Sequence, residues 1–180
     1  MVPQLLIRQS TAADAAAIAR VHLRAWQESY AHLVPAAVLG TLDPAHREAR
    51  WADTIADGGT DVWVAEGAGE VIGWATASAG RDTGSPTPVE LEGLYVLASH
   101  QGTGAGQRLL DAAVGRSPAF LWVAADNPRA HAFYARNRFR ADGTTDVHQL
   151  AGFPVEAVRL VRWAGCRPPG GRQEWPRPHG

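Results

Sequence analysis

Apolar and polar positions alternate or recur along the chain in a way that predicts a strand, three helices, and then a set of strands interrupted by two more helices. Leu5 to Arg8 reads as a first strand. Thr11 followed by Asp14 is a capping-box signature that starts a helix at about Ala12. Ile18, Val21, His22 or Ala25, and Trp26 then recur at helical spacing, so most of that face is core. Pro35 suits the first turn of a short helix, and Asp43-Pro44 caps another that runs through Trp51 to about Ile55 before Asp57-Gly-Gly59 ends it. Val62-Trp-Val-Ala65 and Val71 to Ala77 are β-rich, and the glycines of Glu66-Gly-Ala-Gly-Glu70 join them as a hairpin. A loop over Gly80 to Thr87 leads into a mostly apolar central strand, Val89 to Leu97. Beyond it come a helix from about Ala105 to Val114, a strand from Phe120 to Ala125, and a helix opened by Asn127-Pro128 and running to about Asn137. Two terminal strands, about Thr144 to Leu150 and Val155 to Trp163, complete the order as an antiparallel pair. One α/β domain with a mixed central sheet fits.

The turn after the central strand carries glycines at alternate positions, Gly102, Gly104 and Gly106. Without Cβ atoms the backbone turns sharply and lets a ligand approach its N–H groups. The helix that opens near Ala105 points its unpaired amides the same way, and its positive end favours an anion, with phosphate or pyrophosphate the natural guest. A Walker loop needs a lysine after its glycines, and the chain contains none. The dinucleotide fingerprint G-x-G-x-x-G fails as well, its third glycine falling on Gln107 or Leu109 according to the starting glycine, although Asp126 stands roughly 20 residues on, where a ribose-binding acid belongs.

Gln101-Gly-Thr-Gly-Ala-Gly106, a Q-x-x-G-x-G run behind Leu94-Tyr-Val96, resembles the acyl-CoA loop of the GNAT superfamily of acetyl-CoA-dependent N-acetyltransferases. Downstream, Asn127 to Phe139 keeps the spacing N-x-x-A-x-x-F-Y-x-x-x-x-F of the family's next helix. The resemblance spans about residues 5 to 163 and implies a single-domain GNAT-like fold, its central mixed, mostly antiparallel sheet flanked by helices. It implies acetyl-CoA as cosubstrate, with the diphosphate on the amides of Gln101, Gly102, Thr103, Gly104, Ala105 and Gly106. Leu94, Tyr95 and Val96 would hold the pantetheine arm and the thioester carbonyl, with Asn127 and Phe133 beside them. Of Arg108, Arg129 and Arg136, Arg108 lies nearest the loop in sequence and is the first candidate for a coenzyme A phosphate.

Acetyl transfer to an amine needs a polarised carbonyl, a neutral nucleophile and a proton for the departing thiolate. By the family pattern the Val96 N–H supports the carbonyl oxygen, and Tyr134 stands where the family places a tyrosine near the sulfur. The family's strand glutamate falls on Glu90, with Glu92 as the alternative base. Simple alternation would put Glu90, Glu92, Leu94 and Val96 on one side of the strand. The segment Trp26 to Pro35 is similar to one that bends over the acceptor, which makes Trp26, Glu28 and Tyr30 acceptor-pocket candidates; Trp26 and Tyr30 also read as packing residues four apart on one helical face. Where the family usually has glycine before the phenylalanine that follows this helix, the chain has Arg138, and Asn137 is the residue expected to take the left-handed turn instead.

Composition narrows the partners. At 180 residues the chain suits one domain, 1–163, and its net charge of −1 gives no general attraction to nucleic acid or an anionic membrane. One cysteine, Cys166, makes no internal disulfide; with no signal-like start and no membrane-length apolar run, a cytoplasmic protein is expected. Residues 164–180, with four prolines and four glycines, are expected to be a disordered tail. No zinc spacing and no G-x-S-x-G elbow appear, and His22, His32, His100 and His148 read as packing or surface residues. The resulting expectation is an N-acetyltransferase that joins acetyl-CoA and a small-molecule or peptide amine in a ternary complex. The reading from another class is a catalytically silent acyl-CoA-binding module. Dimerisation is frequent in the family, but no apolar stripe marks a surface for it.

Overall fold

The computed structural model describes residues 5–81 and 83–164. The expected tail therefore lies, apart from Ala164, outside the described residues. Seven strands form one sheet in the order β1-β2-β3-β4-β5-β7-β6. They are β1 (Leu5–Gln9), β2 (Asp61–Gly67), β3 (Glu70–Ala79), β4 (Val89–Val96), β5 (Ala119–Ala124), β6 (Arg140–Leu150) and β7 (Phe153–Arg162). Every neighbouring pair is antiparallel except β4 and β5, which are parallel. Among the described residues the α-helices are α1 (Ala15–Tyr30), α2 (Ala36–Leu39), α3 (Pro44–Asp57), α4 (Ala105–Val114) and α5 (Pro128–Arg136).

Local signals account for most element ends. A single 3-10 turn over Ala12–Asp14 precedes α1. There the Asp14 carboxylate accepts from the Thr11 N–H at 2.7 Å and from two Arg8 nitrogens at 2.8 and 2.9 Å. These bonds to Arg8 hold the Asp14 pKa down to about 2. Asp43 caps α3 by accepting from the Ala45 N–H, and Gly58, left-handed at φ 70, ends it.

The α5 terminus departs from expectation. Asn137 keeps φ −92, and Arg138 itself takes the left-handed turn at φ 68. Asn137 is committed elsewhere, its amide nitrogen donating to the Phe133 carbonyl at 3.1 Å and its side-chain oxygen accepting from Gln107 at 2.8 Å. The chain meets a strain of about 1–2 kcal/mol at Arg138. It is then free to start β6 at Arg140, four residues earlier than the alternation suggested.

The sheet separates two apolar layers. On one face Leu91, Leu121 and Val123 of the sheet pack with Leu110 and Val114 of α4, Tyr134 of α5 and Phe139. On the other, Val62, Val64 and Trp74 of the sheet pack with Ile18 and Val21 of α1 and Trp51 of α3.

Candidate active site

The sheet opens where β4 and β5 part. These parallel strands share one register pair, Glu90 opposite Phe120, and from there to their C-terminal ends a gap separates them. A cavity of about 540 Å³ fills the gap, lined by β4 from Leu91 to Val96, by Trp122 and Val123 of β5, by the glycine turn, and by one face of α5.

The ladder to β3 shows which β4 amides face this gap. Leu97 N–H donates to the Ile72 carbonyl at 3.0 Å. Hydrogen-bonded pairs alternate in an antiparallel ladder, so Tyr95 bonds to β3 while Val96 and Leu94 turn their backbone groups toward β5. The Val96 carbonyl on that side accepts from the Gln101 side chain at 3.0 Å. That bond ties the turn back to the strand it follows.

A bulge redirects the β4 side chains. Thr76 pairs with Gly93 and Ala77 with Leu91, so Glu92 is the extra residue. Gly93 permits this, since a Cβ there would lie 2.8 Å from the Trp74 ring. The expectation that Glu90, Glu92, Leu94 and Val96 share one side is therefore corrected. Leu94 and Val96 pack toward α4, whereas Glu90 and Glu92 point to the opposite face, where Ser78 and Arg81 receive them.

The two glutamates are placed differently. Glu90 is 3 % exposed and lies outside the cavity lining; Arg81 binds it with two guanidinium nitrogens at 2.8 and 3.1 Å and with its backbone N–H at 3.2 Å. Glu92 lines the cavity, accepts from the Ser78 hydroxyl, and lies 3.6 Å from the same guanidinium.

The glycine turn is built as its composition required. Gly102 and Gly104 have φ +82 and +90, and Gly104 begins α4 without a side-chain cap. The first-turn amides of α4 thus receive no capping side chain. Gln101, Gly102, Gly104 and Gly106 line the cavity. Thr103 instead donates to the His100 carbonyl at 2.7 Å, and the Ala105 side chain is buried under the sheet. Arg108 also points elsewhere, donating to the Leu5 carbonyl at 2.7 Å. Among the described residues, the arginines that line the cavity are Arg129 and Arg136. They share one face of α5 with Phe133 through i, i+4, i+7 spacing, a signal the sequence carried.

Tyr134 and Asn127 also line the cavity, and the Asn127 side chain caps α5 by accepting from the Ala130 N–H at 3.1 Å. Burial pushes the Tyr134 phenol well above its ordinary range, with the nearby Tyr30 adding to the effect. Tyr30 enters the cavity wall from α1 and its hydroxyl lies 2.9 Å from that of Tyr95, whose ring stacks on His22 on the α1 face.

Of the other acceptor-side candidates, Trp26 and Glu28 stand apart from the cavity. Trp26 packs edge-on to His22 under the Arg47 guanidinium. Glu28 accepts from the Ala98 N–H at 2.8 Å and so caps the 3-10 turn Ala98–His100. Ser29 and Trp122 line the cavity without having been foreseen; for Trp122 the alternation of β5 was the available signal.

The acetyltransferase (GNAT) family model matches residues 20–139. A Mycobacterium tuberculosis protein named "Probable N-acetyltransferase Rv2775" is 31% identical over 172 residues, 91% of this chain and 96% of its own length. An uncharacterized N-acetyltransferase of Bacillus subtilis is 29% identical over 161 residues, 86% and 90% of the two chains. Among solved structures, the PaiA N-acetyltransferase of Thermoplasma acidophilum in complex with coenzyme A superposes with a TM-score of 0.66 at 17% identity, covering 86% of this chain and 98% of its own. The YncA structure from Salmonella typhimurium, solved with its cofactor acetyl-CoA, gives 0.65 at 22% identity, covering 93% and 99%. The parted strands, the uncapped glycine turn and these matches lead to one conclusion: the chain belongs to the GNAT family of acetyltransferases and is an acyltransferase.

Proposed function

We propose that the protein transfers an acetyl group from acetyl-CoA to a primary amine, by direct attack within a ternary complex held in the gap between β4 and β5. The observation that carries this reading is the gap itself, where the Val96 and Leu94 amides, the glycine turn, Glu92 and Tyr134 border one cavity. The two structural relatives solved with coenzyme A or acetyl-CoA support acetyl-CoA as the cosubstrate.

The chain's own groups divide the work. The amides of the Gly102–Gly106 turn and the positive end of α4 bind the diphosphate. Arg129 and Arg136 add charge on the same wall. The extended arm completes the sheet where β5 has left β4, bonding to the backbone of Leu94 and Val96. The Val96 N–H then faces the thioester oxygen and stabilises the negative charge that grows on it during attack.

An aliphatic amine with a pKa near 10 is mostly protonated at neutral pH, so a proton must leave before attack. Glu92, the alternative base and on the cavity wall, takes this role directly or through water, in place of the Glu90 that the family resemblance put first. Both Glu90 oxygens are held by Arg81. When the carbon–sulfur bond breaks, Tyr134 gives its proton to the thiolate. Its raised pKa keeps the phenol protonated until that moment.

The test mixes the protein with acetyl-CoA and a panel of primary amines and follows free thiol. Amine-dependent thiol release with a matching acetylated product supports the reading. Thermal stabilisation by coenzyme A with no release on any amine would reject transfer and leave a binding module.

A further inference from the structure

The two walls of the cavity carry opposite charge. Arg129, Arg136 and the turn amides line the α4–α5 side, whereas Glu92 is the acid among the described lining residues. Behind it Glu90 and Glu92 face one guanidinium, Arg81, at 2.8 and 3.6 Å. Among the described residues, two carboxylates against one guanidinium give this group one net negative charge. Across the gap stands Trp122, with Arg159 5.7 Å above its ring, but Arg159 is itself bound to Asp142 at 2.7 Å. That basic group is already balanced and offers no counter-charge to an anionic acceptor.

We propose that Glu92 is a specificity-determining residue that selects aliphatic amines carrying no neighbouring carboxylate. This rests on the proposed acetyl transfer and adds the acceptor's chemical class to it. A cationic amine approaching the β4 wall is attracted by the unbalanced carboxylate, and an acceptor whose own carboxylate enters with it is repelled by the same group. The positive wall gives such an acceptor no relief, because the phosphates of the cosubstrate take it up. Ser78 and Arg81 act as positioning groups, holding the Glu92 carboxylate at the mouth of the bulge.

The matched probes are pentylamine, 1,5-diaminopentane and lysine, since lysine is 1,5-diaminopentane with one carboxylate added. At about 6 Å and an effective dielectric between those of surface and water, one added like charge corresponds to on the order of a tenfold loss. The expected kcat/KM for lysine is therefore about a tenth or less of that for 1,5-diaminopentane, from which it differs by the carboxylate alone, with pentylamine as the reference for a single amine. In Glu92→Gln the gap should narrow about threefold or more, even if turnover falls for all three, because the ratio between acceptors cancels any shared catalytic loss. Lysine used as well as 1,5-diaminopentane by the unaltered enzyme would overturn the inference while leaving acetyl transfer standing. So would an undiminished gap in a folded Glu92→Gln variant. Thiol release on none of the three, nor on the wider panel, would defeat the proposed function and this inference with it.

Discussion

His22 makes the stability of the fold depend on pH in a calculable way. It is 7 % exposed on α1, ringed by Trp26, Trp51, Trp74 and Tyr95, and its Nδ1 accepts from Trp51 Nε1 at 3.2 Å. Burial, helped by the charge of Arg47, lowers its pKa from 6.5 to about 3. Because the folded value lies below the unfolded one, the unfolded chain binds more protons throughout that window. The stability contributed is full above pH 7 and is lost as pH falls from 6.5 toward 3. The loss approaches about 1.4 kcal/mol per pH unit and reaches roughly 3 kcal/mol at pH 4.5. His22→Gln, which keeps a hydrogen-bond acceptor but no titrating ring, removes this slope. The assay is urea unfolding followed by tryptophan fluorescence between pH 8 and 4.5, a range that stays above the transition expected of Asp14. The stability difference, wild type minus variant, should shrink by roughly 3 kcal/mol toward acid. A difference flat across the range would refute the reasoning.

Three further outcomes follow from the same geometry. Tyr134→Phe should lower kcat by about tenfold or more while the Kd for coenzyme A, measured by calorimetry, changes little; unchanged turnover would remove Tyr134 from the reaction. Gly104→Ala, at φ +90 where α4 begins, introduces about 1–2 kcal/mol of strain and should weaken coenzyme A binding about tenfold; equal affinity would mean that the turn does not hold the diphosphate. Ala68→Gly, at φ 53 in the β2–β3 hairpin, should raise stability by about 1 kcal/mol in urea unfolding, and a loss of stability would contradict the strain assigned to that turn.

Element types and the glycine turn were readable because they rest on local chemistry. Asp43-Pro44, Asn127-Pro128 and the alternating glycines each state a backbone demand that nothing distant overrides. The placement of the acids was not readable, because it depends on a bulge that slips β4 against β3 by one residue at Glu92. Alternation counted through that point sends Leu94 and Val96 to the wrong face. The bulge is accommodated by Trp74 packing over Gly93, a contact between strands that no window on either strand contains. Arg108 misled for a related reason. Nearness to the loop in sequence is not nearness to the cavity, and a helix turns the side chain four residues on toward β1, where the Leu5 carbonyl holds it. Glu28 and Trp26 resemble site residues by position, yet one completes a cap and the other a ring cluster around His22.

The central claim is that the gap between β4 and β5 receives coenzyme A with its diphosphate on the turn amides. A crystal structure of the complex tests it most directly. The account predicts diphosphate oxygens about 3 Å from the backbone nitrogens between Gln101 and Gly106, with the thiol beside Val96 and Tyr134. Coenzyme A bound on another face, or with its diphosphate away from that turn, would contradict it.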